Sequence, residues 1–316
     1  MEPLATLFER PLHPAAGVLP EPLRKLYGGH LAFPQSPGRP YVVANFVSTL
    51  DGVVSYDIAG SSGGGHVSGF NPQDAFVIGL LRACADAVMV GAGTLHGDPG
   101  HVRTASFIFP EAQRRYAELR QALGKTTLHP LNVIISGSGR VDLAEPTFHT
   151  PGLKTLIVTS RAGRAHLEAT HGAALATTRV ATAGDGPALA PEVILTLLYR
   201  ELGVRLLVHE GGPTLLGPFL AEGLIDELFL TIAPWVAGRS TDTRRPGLVE
   251  GVTFSPEAAP GLELVSAKQA GDHLLLRYRA QLLAQTMGRA APADAVRVDH
   301  GRTTGTVTCD GNLAAR

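Results

Sequence analysis

The sequence contains little cysteine and little charge. Only Cys84 and Cys309 occur among its 316 residues, too few for a disulfide framework or a four-cysteine zinc site. Charged side chains make up 17% of the chain, and 27 Lys and Arg nearly cancel 28 Asp and Glu, so the formal net charge is −1. Binding to nucleic acid needs a basic excess or a basic stripe, and neither is present. Nucleic acid is therefore not expected as a partner.

Long apolar runs are also missing from the sequence. No window approaches the roughly 18 apolar residues of a membrane span, and the N-terminal MEPLATLFERPLHP lacks the apolar core of a signal peptide. These features predict a cytoplasmic protein without a membrane partner. The 44% hydrophobic content excludes a disordered chain. The 12 histidines form no recognisable ligand spacing, so no metal site is predicted.

The composition divides the chain into three parts. Seven prolines fall within 1–38, which predicts an N-terminal arm lying on the surface, with one short helix at 20–27. The segment 284–316 is rich in Ala, Gly, Thr and Arg without a sustained apolar period, as is typical of a tail. The residues between them, 39–283, are predicted to form one domain.

Strands alternate with helices in this central part. Apolar and β-branched runs predict strands at 41–49, 87–90, 131–136, 155–159, 205–209, 226–233, 262–267 and 273–278. Helical spacing and capping residues predict helices at 71–83, 112–123, 193–198 and 213–222. Such alternation predicts an α/β fold with a mostly parallel sheet and helices on both faces. The last strands have no helix between them, which predicts an antiparallel C-terminal edge.

The strongest local motif is LLVHEGGPTL at 206–215. An apolar strand runs into Glu210 and two glycines, and a helix starts at Pro213 or Thr214. Glycines let a ligand approach the backbone, and a helix start offers unpaired N–H groups, so the motif predicts a phosphate cradle. The alternative is a tight turn whose glycines serve geometry alone. Glu210 ends a buried strand, where ligands bind in α/β sheets, and needs a partner there; His209 faces the other side and is predicted to be structural.

Two further motifs follow strands. Asp51 stands before Gly52 at the end of the first strand, where it is either a site residue or a turn former. Thr94 and Asp98 lie in a glycine-rich loop after the strand at 87–90, where ligand contacts concentrate. Arg82, near the end of the preceding helix, could instead bind that helix's last carbonyls.

Three segments in order, RPYVVANFVSTLDG, NPQDAFVIGLLRACADAVMVGAGTLHGDP and LLVHEGGPTLLGPFLAEGLIDELFLTIAP, resemble a known family. The sequence resembles the C-terminal reductase domain of the bifunctional riboflavin-biosynthesis deaminase/reductase and the stand-alone archaeal and fungal pyrimidine reductases. The resemblance covers about 39–280. It implies a dihydrofolate-reductase-like fold, a homodimer, and NADPH-dependent hydride transfer to the ribose C1 of a ribosylaminopyrimidine phosphate. The zinc deaminase signature is absent, so a bifunctional chain is not expected.

The resemblance also implies roles for particular residues. The catalytic pair would be Asp51 and Glu210, because a carboxylate stabilises the cationic nitrogen of an opened imine. A substrate phosphate needs a guanidinium fork, and the implied substrate-binding residues are Asn45, Ser68, Arg82 and Arg103. The implied cofactor-binding residues are Thr94, Asp98, Ser136, Gly211, Gly212, Pro213, Thr214 and Leu215.

The departures from the family pattern surround the predicted substrate pocket. The loop GSSGGGHVSG at 60–69 replaces a segment that usually contains tryptophan, and the segment after Asp98 is shorter than usual. Asn45 matches the archaeal and fungal type, whereas many bacterial members have lysine there. Two alternatives therefore stay open: an NADPH reductase of the same fold that acts on another heterocycle, such as a pterin, and a catalytically inactive nucleotide-binding protein.

Overall fold

The computed structural model describes residues 1–11, 19–58 and 60–281. Their strands are β1 (Ala5–Glu9), β2 (Tyr41–Thr49), β3 (Ala87–Gly91), β4 (Leu131–Ser136), β5 (Thr155–Thr159), β6 (Arg179–Thr182), β7 (Leu206–His209), β8 (Glu227–Ala233), β9 (Leu262–Ala270) and β10 (His273–Ala280). Their α-helices are α1 (Glu21–Tyr27), α2 (Gly64–Ser68), α3 (Pro72–Cys84), α4 (Ala92–Gly97), α5 (Ala105–Ile108), α6 (Gln113–Ala122), α7 (Arg161–His171), α8 (Pro191–Arg200) and α9 (Pro213–Ala221). The predicted tail, 284–316, lies outside the described residues.

All ten strands join one sheet in the order β1-β9-β10-β8-β2-β7-β3-β4-β5-β6. The seven strands from β8 to β6 are parallel to one another. The remaining strands, β10, β9 and β1, pair antiparallel at one edge. Within the described ranges, no helix is long and apolar enough to cross a bilayer. The predicted mostly parallel sheet with an antiparallel C-terminal edge is confirmed.

Two apolar cores cover the two faces of the sheet. Val42 and Val43, successive residues of β2, are both fully buried. Val43 packs in the core that contains side chains of α1, α3 and α6, whereas Val42 packs in the core of α8 and α9. Successive side chains of a strand point to opposite faces, so a strand covered on both sides is apolar at nearly every position. This explains why YVVANFVST was recognisable as a buried strand.

Helix α3 is held at both ends. The Asn71 side chain accepts hydrogen bonds from first-turn N–H groups, and Pro72 occupies the first helical position, as predicted. At the other end, the Arg120 guanidinium of α6 donates to the carbonyls of residues 82, 83 and 85. Residues four apart lie on the same face of a helix. The face of α3 that is turned towards the carboxyl ends of the strands carries Asp74, Ile78 and Arg82.

The predicted 1–38 arm is more closely integrated than the sequence indicates. It supplies the edge strand β1, and α1 buries its apolar side in a core of the sheet. Two buried cations hold it: Lys268 donates to the carbonyl of Gly28, and Arg277 donates to the carbonyl of Ala32. These partners are 240 and 245 positions apart in the sequence, so local patterns could not reveal them.

His209, on β7, is fully buried between aromatic rings. Its ring centroid lies 5.1 Å from that of Phe219 and 6.3 Å from that of Phe46. Neither ring nitrogen has a hydrogen-bond partner among the described residues. Burial disfavours the charged imidazolium and lowers the pKa of His209 to about 4. The residue is therefore a neutral core histidine, as the sequence predicted.

We expect the free energy of unfolding to fall in acid because of His209. Its pKa is about 4 when folded and about 6.5 when unfolded, so between these values only the unfolded chain takes up the proton. Stability is unaffected above pH 6.5 and declines by about 3 kcal/mol as pH falls to 4. Urea denaturation at pH 7 and pH 4.5 should show this decline in the wild type and a smaller one in His209→Leu. The control is His166→Leu, at an exposed position of α7. An equal decrease in the free energy of unfolding between pH 7 and pH 4.5 in all three proteins would contradict the prediction.

Candidate active site

A cleft of about 1270 Å³ lies at the carboxyl ends of the parallel strands. Gly91, Ser136 and Glu210, which end or follow β3, β4 and β7, line it. This position is where open α/β sheets bind ligands. Ligand pockets are typically roughly 300–1,000 Å³, so the cleft has room for more than one ligand. Because β7 is central, Glu210 separates a half over β2 and β8 from a half over β3 to β6.

Glycine backbone and Thr94 form the wall between β3 and β7. The Gly212 N–H donates to Thr94 Oγ1 at 2.7 Å, which leaves the Thr94 hydroxyl proton free to be donated to a ligand. A Cβ on Gly212 would lie only 2.9 Å from that oxygen, whereas a Cβ on Gly93 would meet nothing within 4 Å. Helix α9 begins here without a side-chain cap. The wall thus combines accessible backbone with a helix start, and it also contains Pro213, Thr214 and Leu215.

Gly211 does not line the cleft in the described structure, although it was predicted to bind the cofactor. A Cβ at this position would lie 2.6 Å from Leu215 Cδ2 and 3.0 Å from the Gly91 nitrogen. A glycine is therefore needed at 211 for the close packing of β7 against β3. The position of Gly211 therefore fits the alternative given for this motif, in which a glycine is required by the backbone geometry of the turn.

The half of the cleft over β3 to β6, here called the outer half, lies between the loop after β4 and residues 183–190. Ser136 lines it, and its hydroxyl donates to the Arg140 carbonyl at 3.3 Å. Arg161, at the start of α7, forms an ion pair of 3.1 Å with Asp185, which also lines the cleft. This half therefore offers serine side chains and a carboxylate that is paired with Arg161.

Glu210 is paired with Arg82 at the centre of the cleft. Arg82 Nε lies 2.9 Å from Oε1 and Nη2 lies 2.8 Å from Oε2, a bidentate pair. The Glu210 side chain is 9% exposed and the Arg82 side chain is 3% exposed. Burial opposes ionisation of Glu210, but the charge and hydrogen bonds of Arg82 outweigh it and hold the Glu210 pKa below its ordinary value. Glu210 is thus a carboxylate, and Arg82 is the partner that its buried position requires.

This pairing changes the interpretation of Arg82, which was predicted to bind a substrate phosphate. Its Nη1 donates to the Thr104 carbonyl, and its Nη2 also donates to His101 Nε2. Together with Glu210, these partners occupy four of the five guanidinium donors. The fork that would bind a phosphate is taken by Glu210, because a buried guanidinium must satisfy its donors within the protein. Arg82 lines the cleft, pairs with Glu210 and keeps one N–H donor without a partner among the described residues, so its role in substrate binding stays a prediction.

His101 links the central pair to Asp98. Its Nε2 accepts from Arg82, so the proton is assigned to Nδ1, which lies 2.9 Å from Asp98 Oδ2. Burial lowers the His101 pKa, so the ring is neutral at neutral pH. Burial opposes ionisation of Asp98, but His101 and nearby arginines hold its pKa below the ordinary value. His101 was not among the predicted site residues, and its only sequence signal is its place in the loop after Asp98.

Arg103 is a buried cation, and most of its N–H donors have no hydrogen-bond partner among the described residues. It is 3% exposed and lines the cleft. Its Nη1 donates to the His101 carbonyl at 3.0 Å, and its other N–H groups have no partner among the described residues. Burial lowers the Arg103 pKa to about 10, which still leaves the group charged at neutral pH. An underpaired guanidinium at the cleft wall is suited to bind an anion.

Asp51 lies outside the residues that line the cleft. Its carboxylate accepts from Thr49 Oγ1 at 2.5 Å and from the N–H groups of Ala237 and Gly238 at 3.0 and 2.7 Å. These bonds lower the Asp51 pKa to about 2. The geometry favours the alternative of a turn-forming aspartate over a catalytic one. Asp51 anchors the loop after β8, and that loop brings Arg244, which the sequence analysis missed, to the cleft rim.

Of the other predicted substrate residues, Asn45 lines the cleft and Ser68 does not. Ser68 is 2% exposed; its hydroxyl donates to the Gly65 carbonyl and its own carbonyl accepts from His273. Its position at the buried end of α2 turns it away from the cleft. A carboxyl group that was not predicted, Asp74, lines the cleft instead. In the described part of the chain, no group of three His, Cys, Asp or Glu residues could hold a metal ion.

The sequence matches a known family and two characterised relatives. The model of the RibD C-terminal domain family matches residues 40–276. The 2,5-diamino-6-ribosylamino-4(3H)-pyrimidinone 5′-phosphate reductase of Archaeoglobus fulgidus is 31% identical over 206 residues, which is 65% of this chain and 85% of that protein. The enzyme of the same name from Methanothermobacter thermautotrophicus is 29% identical over 244 residues, 76% of this chain and 98% of that protein.

The fold also matches a solved structure. A pyrimidine reductase-like protein from Corynebacterium diphtheriae superposes with a TM-score of 0.59 at 20% sequence identity. The match covers 82% of this chain and 98% of that one. At this identity, the comparison establishes a shared fold.

Proposed function

The chain belongs to the RibD C-terminal domain family, and on this premise we propose that it is a riboflavin-pathway pyrimidine reductase. Its substrate would be 2,5-diamino-6-ribosylamino-4(3H)-pyrimidinone 5′-phosphate or the related 5-amino-6-(5-phosphoribosylamino)uracil. The observation that carries the proposal is the two-part cleft with the ionised Glu210 at its centre. One half offers accessible glycine backbone, and the other offers polar groups suited to a phosphorylated heterocycle.

The cofactor would be a nicotinamide nucleotide, and we propose NADPH rather than NADH. Its phosphates would bind at Gly212 and Thr94, where a Cβ would intrude and a hydroxyl proton is available. The extra phosphate of NADPH would bind in the outer half, where Ser136 and Ser138 line the cleft and Arg161 pairs with the lining residue Asp185. When bound, the cofactor supplies the hydride that reduces the ribose C1 of the substrate.

The substrate would extend from the half over β2 and β8 across the centre of the cleft to Arg103, whose carbonyl accepts from Asn132 of β4. Arg103 would bind its phosphate, because that guanidinium is charged and underpaired. Asn45 would contact the pyrimidine or the ribose from β2. Glu210 would stabilise positive charge on the nitrogen bonded to C1, since a fixed carboxylate in a partly dry site acts most strongly on charge that develops during reaction.

Cofactor oxidation tests this proposal. The purified chain is mixed with NADPH and each of the two pyrimidine phosphates, and absorbance of the reduced cofactor is followed. We expect oxidation that depends on the pyrimidine phosphate and is faster with NADPH than with NADH. Gly212→Val, in which added bulk meets Thr94, should abolish cofactor binding and serves as the negative control.

The remaining outcomes separate the alternatives. Turnover with a dihydropterin or another heterocycle, but with neither pyrimidine phosphate, would favour a reductase of different specificity. NADPH binding without turnover would favour an inactive nucleotide-binding protein. Absence of NADPH binding in a titration would contradict the proposal as a whole.

We further propose that the chain acts as a cytoplasmic homodimer, with a reductase domain at 39–283. The exposed side chains of Leu50 and Val236 support association with a second copy. They lie on neighbouring loops, since the Leu50 N–H donates to the Trp235 carbonyl at 2.8 Å. A second copy would cover apolar surface that the single chain leaves in water.

A further inference from the structure

Asp74 is a buried carboxyl group in the half of the cleft over β2 and β8. It is 5% exposed and lines the cleft. It shares a face of α3 with Ile78 and Arg82, and about 12 Å of helix separates it from Arg82. It therefore lies in the proposed substrate half, apart from the central ion pair.

Asp74 accepts one side-chain hydrogen bond, and no lysine or arginine pairs with it among the described residues. Thr231 of β8 donates to Oδ1 at 2.6 Å, and the Ser68 hydroxyl of α2, whose proton bonds the Gly65 carbonyl, lies near the carboxyl group. The titratable group that faces it is His273 of β10, whose Nδ1 lies 3.1 Å from Asn71 Nδ2 and whose Nε2 lies 2.9 Å from the Ser68 carbonyl. These partners assign a proton to Nε2, which donates to the Ser68 carbonyl, and make Nδ1 the acceptor from Asn71. Burial is then the largest effect, and it raises the Asp74 pKa.

The other carboxyl groups that line the cleft have different surroundings. Glu210 is paired with Arg82, and Asp98 with His101. Asp57 and Asp185 are exposed to solvent. Among the described residues that line the cleft, Asp74 is thus the carboxyl group that combines burial with the lack of a cationic partner.

The proposed reaction requires a proton as well as a hydride. In the substrate, the ribose C1 is bonded to the ring oxygen and to the amino nitrogen. Ring opening breaks the bond between C1 and the ring oxygen and leaves its electron pair on the oxygen, while the nitrogen lone pair forms a double bond to C1. The oxygen takes a proton, the hydride adds to C1, and the electron pair of the double bond returns to the nitrogen. One proton and one hydride are added in total.

We propose that Asp74 is the catalytic acid that donates this proton to the ring oxygen and is then reprotonated from solvent. The inference rests on the proposed function and assigns separate roles to two carboxyl groups of one cleft. Glu210, ionised beside Arg82, stabilises the cationic nitrogen, while Asp74, buried without a lysine or arginine partner, delivers the proton. Environments that push two carboxyl groups towards opposite protonation states are a recurrent basis for such a division.

Asp74→Asn tests the role with little change of shape. Asparagine can still accept from Thr231 and resembles the protonated acid, so the fold should be retained, but it has no proton to donate. We expect kcat to fall roughly 100-fold with the KM for NADPH unchanged. The wild-type kcat should decline as pH rises through the raised pKa of Asp74, and this decline should be absent in the variant. Thr231→Val removes a donor to the carboxylate, so it should move the decline to higher pH.

Infrared difference spectra give a readout independent of activity. At a pH where an ordinary aspartate is ionised, the wild type should show the C=O band of a protonated carboxyl group, and Asp74→Asn should lack that band. If the wild type turns over while the variant keeps its rate, or if the two proteins have the same spectrum, Asp74 is not the acid and the proposed function stands. If the wild type does not oxidise NADPH with either pyrimidine phosphate, the proposed function fails and this inference fails with it.

Discussion

Replacing Glu210 with glutamine is expected to lower turnover about 1,000-fold while leaving nicotinamide cofactor affinity within about twofold. The carboxylate lies at the centre of the cleft, bidentate to Arg82, and is separated from the wall that Gly212 and Thr94 form. Glutamine keeps the shape but removes the negative charge that the reaction would use. Initial rates give the change in kcat, and a fluorescence titration of the cofactor gives the change in affinity.

Gly212→Val is the matched variant for Glu210→Gln. It should lose cofactor binding, because its side chain would meet Thr94 Oγ1, while the pair of Glu210 and Arg82 stays intact. Circular dichroism establishes whether each variant is folded, which matters because glutamine leaves the buried Arg82 without its counter-charge. Equal loss of cofactor binding in the two folded variants would contradict the division of roles between Glu210 and the glycine wall.

Replacing Glu227 with glutamine is expected to lower the free energy of unfolding by about 3–5 kcal/mol. Glu227 is fully buried and accepts from Arg277 at 2.8 and 3.0 Å and from the Tyr41 hydroxyl at 3.0 Å. The Arg277 guanidinium lies over the neighbouring rings of Phe33 and Phe229, 5.5 and 5.4 Å from their centroids. Without the carboxylate, that cation would stay buried and uncompensated.

Urea denaturation measures the effect of Glu227→Gln. The matched control is Glu118→Gln on α6, where Glu118 pairs with Arg114 at 2.9 Å but both side chains are largely exposed. Exposed pairs contribute roughly 0–1 kcal/mol, so this variant should be nearly neutral. Similar small losses in the two variants would show that burial adds little to the pair of Glu227 and Arg277.

The sequence predicts the interior strands well and the edge strands poorly. β2, β4 and β5 are apolar at nearly every position because helices cover both of their faces. β1 and β6, five and four residues long, lie at the two ends of the sheet and have mostly exposed or half-buried side chains. Their composition does not distinguish them from loops, and pairing with a distant strand decides their conformation.

For the candidate site, the sequence identifies individual residues but not their partners. Glu210 and Arg82 were both predicted as site residues, but no local pattern shows that they pair across 128 positions. Asp74 follows Asn71 and Pro72 as an ordinary first-turn acid of a helix, and only the fold brings it to the cleft. Asp51 precedes a glycine, which is a local signal for a turn. Its hydrogen bonds to Ala237 and Gly238 agree better with a turn-forming role than with a catalytic one.

The place of β7 in the sheet has a consequence for how the chain folds. β2 and β3 are neighbours in sequence, but they do not pair with each other, because β7 lies between them and pairs with both. The centre of the sheet therefore cannot close until residue 209 has left the ribosome, and the contacts that close it have high contact order. Such topologies fold slowly, and their open strand edges stay available to other chains during synthesis.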